Sequence, residues 1–207
     1  FPGLKISFLT KMLQHGDASQ PGHAADWQTS SPYYVLMDTY SIISLLIFQD
    51  SKLEIKSLDR MPYLRAVLKE TLRTNPAAPA MARILPQPLE LNGYQIPENT
   101  VYVFTHYHMG NSPRYIDQPE KFMPERWLRS DPNNQLDKIH PFLILPFGHG
   151  SRMCIGKRFA EQEVSIFLAK IIQKFQVEWH HPDMGMITET ITKPSAPLRF
   201  TFRNRYE

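Results

Sequence analysis

The segment Phe147 to Gly156, which reads FGHGSRMCIG, constrains the fold more than any other part of the sequence. Its glycines predict a tight loop whose backbone can approach a flat partner closely, as large side chains could not. An amphipathic helix is predicted directly after Gly156, so the loop delivers Cys154 to a helix N-terminus. There the helix dipole and free backbone amides stabilise a thiolate.

Cys154 is the only cysteine in the chain, which excludes an intrachain disulfide framework. A lone cysteine is most often a buried core thiol. The surrounding residues favour another role, because Arg152 lies two positions earlier and its guanidinium suits bidentate binding of a carboxylate. A macrocycle with an iron centre and propionate arms fits this combination of thiol, glycines and arginine.

The rest of the composition narrows the range of partners. The 207 residues carry a net charge of only +3, and no basic run is interleaved with exposed aromatics, so nucleic acid is not expected as a partner. The start, FPGLKISFLTKMLQ, lacks the order of a signal peptide and indicates a fragment or a processed chain. The longest apolar run, Tyr33 to Phe48, is too short and too polar to predict a membrane span.

Periodicity predicts a mainly α chain with small β-sheets, an α+β class. Apolar spacing predicts a helix over Asp59 to Thr74, with Pro62 in its first turn. Alternation about Asn92-Gly93 predicts a β-hairpin. The stretch from His106 to Pro146 is rich in proline and predicted to be irregular. Further predictions are a short helix over Leu4 to Gln14, a buried helix or strand over Tyr33 to Phe48, an apolar stripe from Phe159 to Phe175, and a tail strand PLRFTF beside the hairpin.

The cysteine segment matches Phe-x-x-Gly-x-Arg-x-Cys-x-Gly at every fixed position, and so resembles the haem-ligand signature of the cytochrome P450 family. The resemblance implies haem b (iron protoporphyrin IX) with Cys154 as the axial metal ligand. It implies that Phe147 packs beside the sulfur and that Arg152 meets a haem propionate. Thiolate ligation favours O–O cleavage, which is the chemistry of a monooxygenase. The cofactor-binding glycines would be Gly148, Gly150 and Gly156.

Two further elements resemble the family in the expected order. Glu70 and Arg73, in KETLR, lie three apart on one predicted helical face and resemble the Glu-x-x-Arg element. FMPERW resembles the segment that completes it, which gives Arg126. The resemblance implies a buried three-residue network that holds the cysteine loop in place. Arg83, in MARIL, resembles the second propionate contact, with an ordinary surface arginine as the alternative.

The resemblance runs from about Leu58 to Phe202. It implies that residues 58–207 are the haem-binding C-terminal part of a cytochrome P450 domain, and that the fold is incomplete. Residues 1–57 match poorly. Within them, VLMDTYS offers Asp38 and Thr39 as a remnant of the oxygen-activating helix, although Val35 and Leu36 replace the small residues of that pattern. A coincidental Asp-Thr dipeptide is the alternative.

Basic residues suggest a branch of the family. Arg65 and Lys69 lie four apart on one helical face, and Lys157 and Arg158 follow the cysteine loop. The pattern resembles the animal mitochondrial branch, in which such residues contact an acidic ferredoxin that donates electrons. This implies a mitochondrial protein, associated with the inner membrane by peripheral contact. The endoplasmic reticulum is the alternative location.

The substrate side is predicted only by analogy with the family. The segment after Glu-x-x-Arg and the turn of the final hairpin would line an apolar pocket suited to a lipophilic, steroid-like molecule. The candidate pocket residues are Pro79, Ala80, Met81, Ile191 and Thr192.

Three functions follow from these features. One is a monooxygenase that hydroxylates a lipid, which we favour for a complete product. A second is a haem-thiolate isomerase or dehydratase, which needs Cys154 but no acid–alcohol pair. A third is a truncated, non-catalytic chain, which we favour for the chain on its own. For the chain alone we expect weak haem retention, since apolar surface would be exposed.

Overall fold

The computed structural model describes residue 58 and residues 61–180, 182 and 184–205. The predictions for Leu4 to Gln14, for Tyr33 to Phe48 and for Asp38 and Thr39 lie outside the described residues. The described helices and strands are α1 (Pro62–Thr74), β1 (Met81–Ile84), β2 (Leu89–Leu91), β3 (Tyr94–Ile96), β4 (Val101–Phe104), α2 (His106–Gly110), α3 (Lys157–Lys174), β5 (Phe175–Glu178), β6 (Met186–Thr188), β7 (Thr192–Pro194) and β8 (Thr201–Asn204). Helices with small two-stranded sheets agree with the predicted α+β class.

Helix α1 ends at Thr74, as predicted, but begins at Pro62 and not at the predicted Asp59. Pro62 lies in the first turn, as predicted, because proline lacks the N–H that a first helical turn leaves unpaired anyway. Its buried face differs from the apolar spacing that predicted it, which consists of Met61, Leu64, Leu68 and Leu72. Leu64 is buried, but so are Glu70 and Arg73, whereas Leu68 and Leu72 are only half-buried. Charged side chains occupy this face because they bind one another there, which apolar periodicity cannot detect.

The predicted hairpin is confirmed. Strands β2 and β3 pair antiparallel, with Leu91 opposite Tyr94, around a two-residue turn. Asn92 and Gly93 both have positive φ, 52° and 82°, as the favoured hairpin turn requires. Strands β1 and β4 flank this hairpin and form a second antiparallel pair, with Met81 opposite Phe104.

Helix α3 begins directly after Gly156, as predicted, and packs against α1. Ala169 and Ile172 form a core cluster with Leu64 of α1. The predicted apolar stripe is only partly right, because Phe159, Val164 and Phe167 are exposed and the helix ends at Lys174, before Phe175. None of the helices in the described ranges is both long and apolar enough to cross a membrane.

A tail strand exists, but its predicted bounds and partner are wrong: the predicted PLRFTF spans residues 197–202, whereas β8 spans Thr201–Asn204. Strand β8 pairs antiparallel with β5 and not beside the β2–β3 hairpin, with Phe175 opposite Asn204. The rings of Phe175 and Phe202 meet edge to face at 5.7 Å, a favoured aromatic geometry. Phe175 therefore belongs to β5 and its aromatic pair, where the sequence predicted a continuation of the α3 stripe.

The stretch from His106 to Pro146 is irregular, as predicted, apart from α2 and a 3₁₀ turn at Pro124–Trp127. Its fold depends on a core of its own, in which the buried residues Ile116, Ile139 and Leu143 pack together. This stretch leads directly into the cysteine loop.

Candidate functional site

The cysteine loop is shaped by two glycines and by hydrogen bonds within its own backbone. Gly148 and Gly150 have φ of 73° and 75°, in the left-handed region that disfavours side chains. The backbone N–H of Cys154 donates to the carbonyl oxygen of Phe147 over 2.8 Å, and that of Met153 donates to Gly150 over 3.0 Å. The position of the sulfur is thus fixed by the backbone, three residues ahead of α3.

Exposed apolar residues flank Cys154 along the chain. The Cys154 side chain is exposed, and so are those of its neighbours Met153 and Ile155, the latter completely. Phe159, one turn into α3, is 71% exposed. Large apolar side chains that point to solvent around one thiol are unusual in a folded protein and mark a binding surface. A flat, apolar ligand would cover them.

Two cationic side chains lie at the edge of the loop. The Arg83 guanidinium, carried on β1, donates to the carbonyl oxygen of Ala82 over 2.8 Å and approaches that of Arg152 at 3.5 Å. Strand β1 also reaches Gly148, where an added Cβ would lie 3.8 Å from the sulfur of Met81. The loop thus combines a soft thiol, an apolar face and two arginines suited to carboxylates. These residues fit a haem with its propionates.

No group of three or more His, Cys, Asp or Glu side chains that could hold a metal ion occurs in the part of the chain that the structure describes. There, Cys154 stands alone as the predicted metal ligand. Cys154 would be the protein's ligand to a haem iron, whose remaining bonds the macrocycle would largely supply.

The predicted network of Glu70, Arg73 and Arg126 is in contact and buried. Arg73 donates to both oxygens of the Glu70 carboxylate over 2.9 Å. Arg126 donates through Nε to Oε1 of the same carboxylate over 3.0 Å. The backbone N–H of Met123 adds a bond of 2.9 Å to Oε1. A fourth side chain, which the sequence analysis missed, donates to Oε2: the indole N–H of Trp127, over 2.8 Å.

Backbone carbonyls compensate the excess positive charge of this network, in which two guanidiniums share one carboxylate. Arg73 donates to the carbonyl oxygens of Gly110 and Lys121, and Arg126 to those of Asp117 and Lys121. Burial lowers the pKa of Arg126, chiefly by desolvation, and the Glu70 carboxylate opposes that shift. Glu70 therefore stabilises the charged form of Arg126 in this buried position.

The network touches the segment that leads into the cysteine loop. A Cβ added to Gly110 would lie 3.3 Å from Cγ of Arg73 and 3.6 Å from Cγ1 of Ile144. Ile144 precedes Phe147 by three residues and packs, together with Trp127, on the core around Ile116. The charged network and the cysteine loop are therefore adjacent parts of one packed unit.

Glu125, beside the network, provides a prediction about pH. Its pKa is raised, chiefly by desolvation and further by Asp131 and Glu70, while its own backbone and the Tyr63 hydroxyl oppose the shift. The folded protein therefore loses stability as pH rises from the unfolded pKa of Glu125 through its higher folded pKa. Glu125→Gln cannot ionise and keeps an oxygen that can accept the hydrogen bond from Tyr63. We expect the variant to be more stable than the original at neutral pH, with a gain that shrinks in acid.

Urea unfolding at about pH 4 and about pH 7.5 measures this difference. Glu189→Gln is the matched control, because Glu189 is largely exposed in the turn after β6. A stability gain for Glu125→Gln that is equal at both pH values would contradict the assignment.

The structure also places the basic residues predicted to bind a donor. Arg65 and Lys69 are exposed on α1, and Arg158 is exposed at the start of α3, where Lys157 is half-buried. The ammonium of Lys69 lies 5.7 Å from the centre of the Trp127 ring.

The two predicted substrate segments meet. The backbone N–H of Thr192 donates to the carbonyl oxygen of Ala77 over 2.8 Å, which joins the turn before β7 to the segment after α1. Pro79, Ala80, Met81 and Thr192 are half-buried, while Ile191 is exposed.

Comparison with known proteins agrees with this geometry. The sequence model of the family described as Cytochrome P450 matches residues 43–202. The chain belongs to the cytochrome P450 family. The match begins at residue 43, earlier than Leu58, which was the predicted start of the resemblance. Asp38 and Thr39 precede the matched residues.

Among curated proteins, this cytochrome P450 chain is similar to probable cytochrome P450 49a1 of Drosophila melanogaster, with 41% identity over 72% of the chain and 26% of the relative. It is 44% identical to the mitochondrial sterol 26-hydroxylase of Homo sapiens over 59% of the chain and 23% of the relative. It is 33% identical to probable cytochrome P450 12e1, mitochondrial, of Drosophila melanogaster over 80% of the chain and 33% of the relative. The chain thus spans about a quarter to a third of these relatives' lengths, and its resemblance is to P450s of the mitochondrial type.

Proposed function

We propose that the chain is the haem-binding part of a monooxygenase that hydroxylates a lipophilic, steroid-like substrate with electrons from a ferredoxin. The observation that carries this proposal is the exposed Cys154, presented from a glycine loop between an apolar surface and two arginines. Residues 58–207 would form the haem-binding part, and residues 1–57 would contribute the acid–alcohol pair Asp38 and Thr39.

Each residue of the loop would have a distinct task toward haem b. Cys154 would bind the iron, and Arg83 and Arg152 would bind the propionates. Phe147 would pack beside the sulfur, while Gly148, Gly150 and Gly156 would leave room for the ring. A haem held by a thiolate would supply oxygen activation, because the electron density donated by the sulfur favours O–O cleavage.

The substrate class rests on the apolar residues near the two joined segments and on the sterol 26-hydroxylases among the relatives. Pro79, Ala80 and Met81 would line one side of the pocket and Ile191 and Thr192 the other. The contact between Thr192 and Ala77 supports a shared surface, because it fixes both segments in one position. Apolar walls with few polar groups suit a lipid-like molecule.

The electron donor would bind basic side chains of α1 and of the start of α3, of which all but the half-buried Lys157 are exposed. Arg65, Lys69, Lys157 and Arg158 would attract an acidic ferredoxin and speed its encounter with the protein. The mitochondrial relatives support a mitochondrial protein. We propose peripheral association with the inner membrane, with the endoplasmic reticulum as the alternative location.

Turnover of the full-length, haem-loaded protein tests the proposal. A sterol and oxygen are supplied with either a [2Fe–2S] ferredoxin and its reductase or a flavoprotein reductase of the reticulum type. We expect a hydroxylated product only with the ferredoxin, and a rate that falls with salt because exposed charges are screened. Product without any electron donor would favour the isomerase or dehydratase. A total lack of turnover with bound haem would favour the non-catalytic chain.

A further inference from the structure

Trp127 has contacts on three sides, each with a different part of the molecule. Its indole N–H donates to Oε2 of Glu70 over 2.8 Å, so the ring is tied to the buried network. Its apolar surface packs on the core around Ile116, beside Ile144. Its ring face lies below the ammonium of Lys69, at 5.7 Å. A single side chain therefore connects the surface of α1 with the support of the cysteine loop.

The contact with Lys69 restricts a side chain that is otherwise free to move. Lysine has a long, flexible stem, and ordering such a side chain at an interface reduces affinity. A cation held over an indole loses part of that freedom before a partner arrives. Lys69 as a whole is exposed on α1. A carboxylate of a partner can thus reach it without displacing the indole.

We propose that Trp127 is a positioning residue for electron delivery: anchored by Glu70, it holds Lys69 in place for a carboxylate of the electron donor. The inference rests on the proposed binding of a ferredoxin to the basic face. It goes beyond that proposal because Trp127 itself need not touch the ferredoxin.

A double-mutant cycle tests the coupling. The full-length, haem-loaded protein is compared with its K69M, W127L and K69M/W127L variants, and the Kd for an oxidised [2Fe–2S] ferredoxin is measured by calorimetry at low salt. Leu at position 127 keeps an apolar contact with the core but removes the aromatic face. We expect W127L to weaken binding by about two- to five-fold, because Lys69 must then be ordered when the ferredoxin binds. K69M should weaken binding less in the W127L background than in the original protein, by a similar factor.

Two more variants separate positioning from a general loss of structure. W127F keeps an aromatic ring but lacks the N–H that binds Glu70, so it should lose part of the affinity for ferredoxin. If W127L does not retain haem, W127F takes its place in the double-mutant cycle. R158M removes a charge on α3, a different helix from that of Lys69, and its effect should add to that of W127L within about two-fold.

The outcomes are distinguishable. Additive effects of K69M and W127L, with ferredoxin binding to the original protein intact, would overturn the role of Trp127 and leave the proposed function standing. Failure of the original, haem-loaded protein to bind ferredoxin would overturn the proposed docking face and this inference with it. Coupling between K69M and W127L, with additivity for R158M, supports the inference.

Discussion

Replacing Cys154 by serine in the full-length protein is expected to abolish the thiolate-type Soret band of the carbon monoxide complex, and turnover with it. Serine matches cysteine in shape, but its hydroxyl stays protonated near neutral pH and offers iron no thiolate. The Cys154 side chain is exposed and its backbone bonds involve only main-chain atoms, so the loop should keep its conformation. The difference spectrum after haem reconstitution measures the first effect, and product formation measures the second.

Ser151→Ala is the control for this experiment. Ser151 lies in the same loop, between Gly150 and Arg152, and is exposed. The variant should keep both the Soret band and turnover. A Cys154→Ser protein that retained thiolate-type ligation and activity would show that the iron is bound elsewhere, and the assignment of the loop would be wrong.

Replacing Glu70 by alanine is expected to reduce the free energy of unfolding by roughly 3–5 kcal/mol, the cost of breaking a buried charged network by removing one partner. Glu70 is fully buried and accepts hydrogen bonds from Arg73, Arg126 and Trp127. Without its carboxylate, two buried guanidiniums repel each other, and the pKa of Arg126 loses the opposition to desolvation. Urea unfolding followed by circular dichroism measures the loss.

An exposed ion pair of the same chain supplies the control. Lys193 and Glu189 are 2.9 Å apart and both largely exposed, so Glu189→Gln should change the stability by no more than about 1 kcal/mol. The Glu70→Ala variant should also hold less haem, because the network adjoins the segment before Phe147. An effect of Glu70→Ala as small as that of Glu189→Gln would mean that the network does not support the fold.

Sequence reasoning succeeded where a local rule decides the structure. Pro62 begins α1, Asn92-Gly93 turns the hairpin and Gly156 precedes α3, because backbone preferences act within a few residues. Glu70, Arg73 and Arg126 were also predicted to form one network, but only from the resemblance to the family. Local rules do not connect residues that lie so far apart in the chain.

It failed where a tertiary contact decides the structure. The pairing of β8 with β5 depends on which strand edge is open and on the rings of Phe175 and Phe202, and neither can be read from the tail alone. Trp127 was missed for a similar reason. An aromatic residue after Arg126 predicts only that its ring packs in the core, and the hydrogen bond that it donates to Glu70 depends on the folded geometry. The signal that could have found it is its place in PERW, directly after a charged residue already assigned to the network.

The spacing of the charged network along the chain has a consequence for the order in which the protein assembles. Glu70 and Arg73 are three residues apart and form a neutral pair within one helix, whereas Arg126 reaches Glu70 across 56 residues of sequence. A nascent α1 can therefore form a balanced pair early, before the later segment that buries it has been synthesised. The second cation then joins together with Gln118 and Lys121, whose carbonyls its guanidinium needs. We expect the network of Glu70, Arg73 and Arg126 to be completed late, in a single step in which Arg126 and the carbonyls that compensate its charge arrive together.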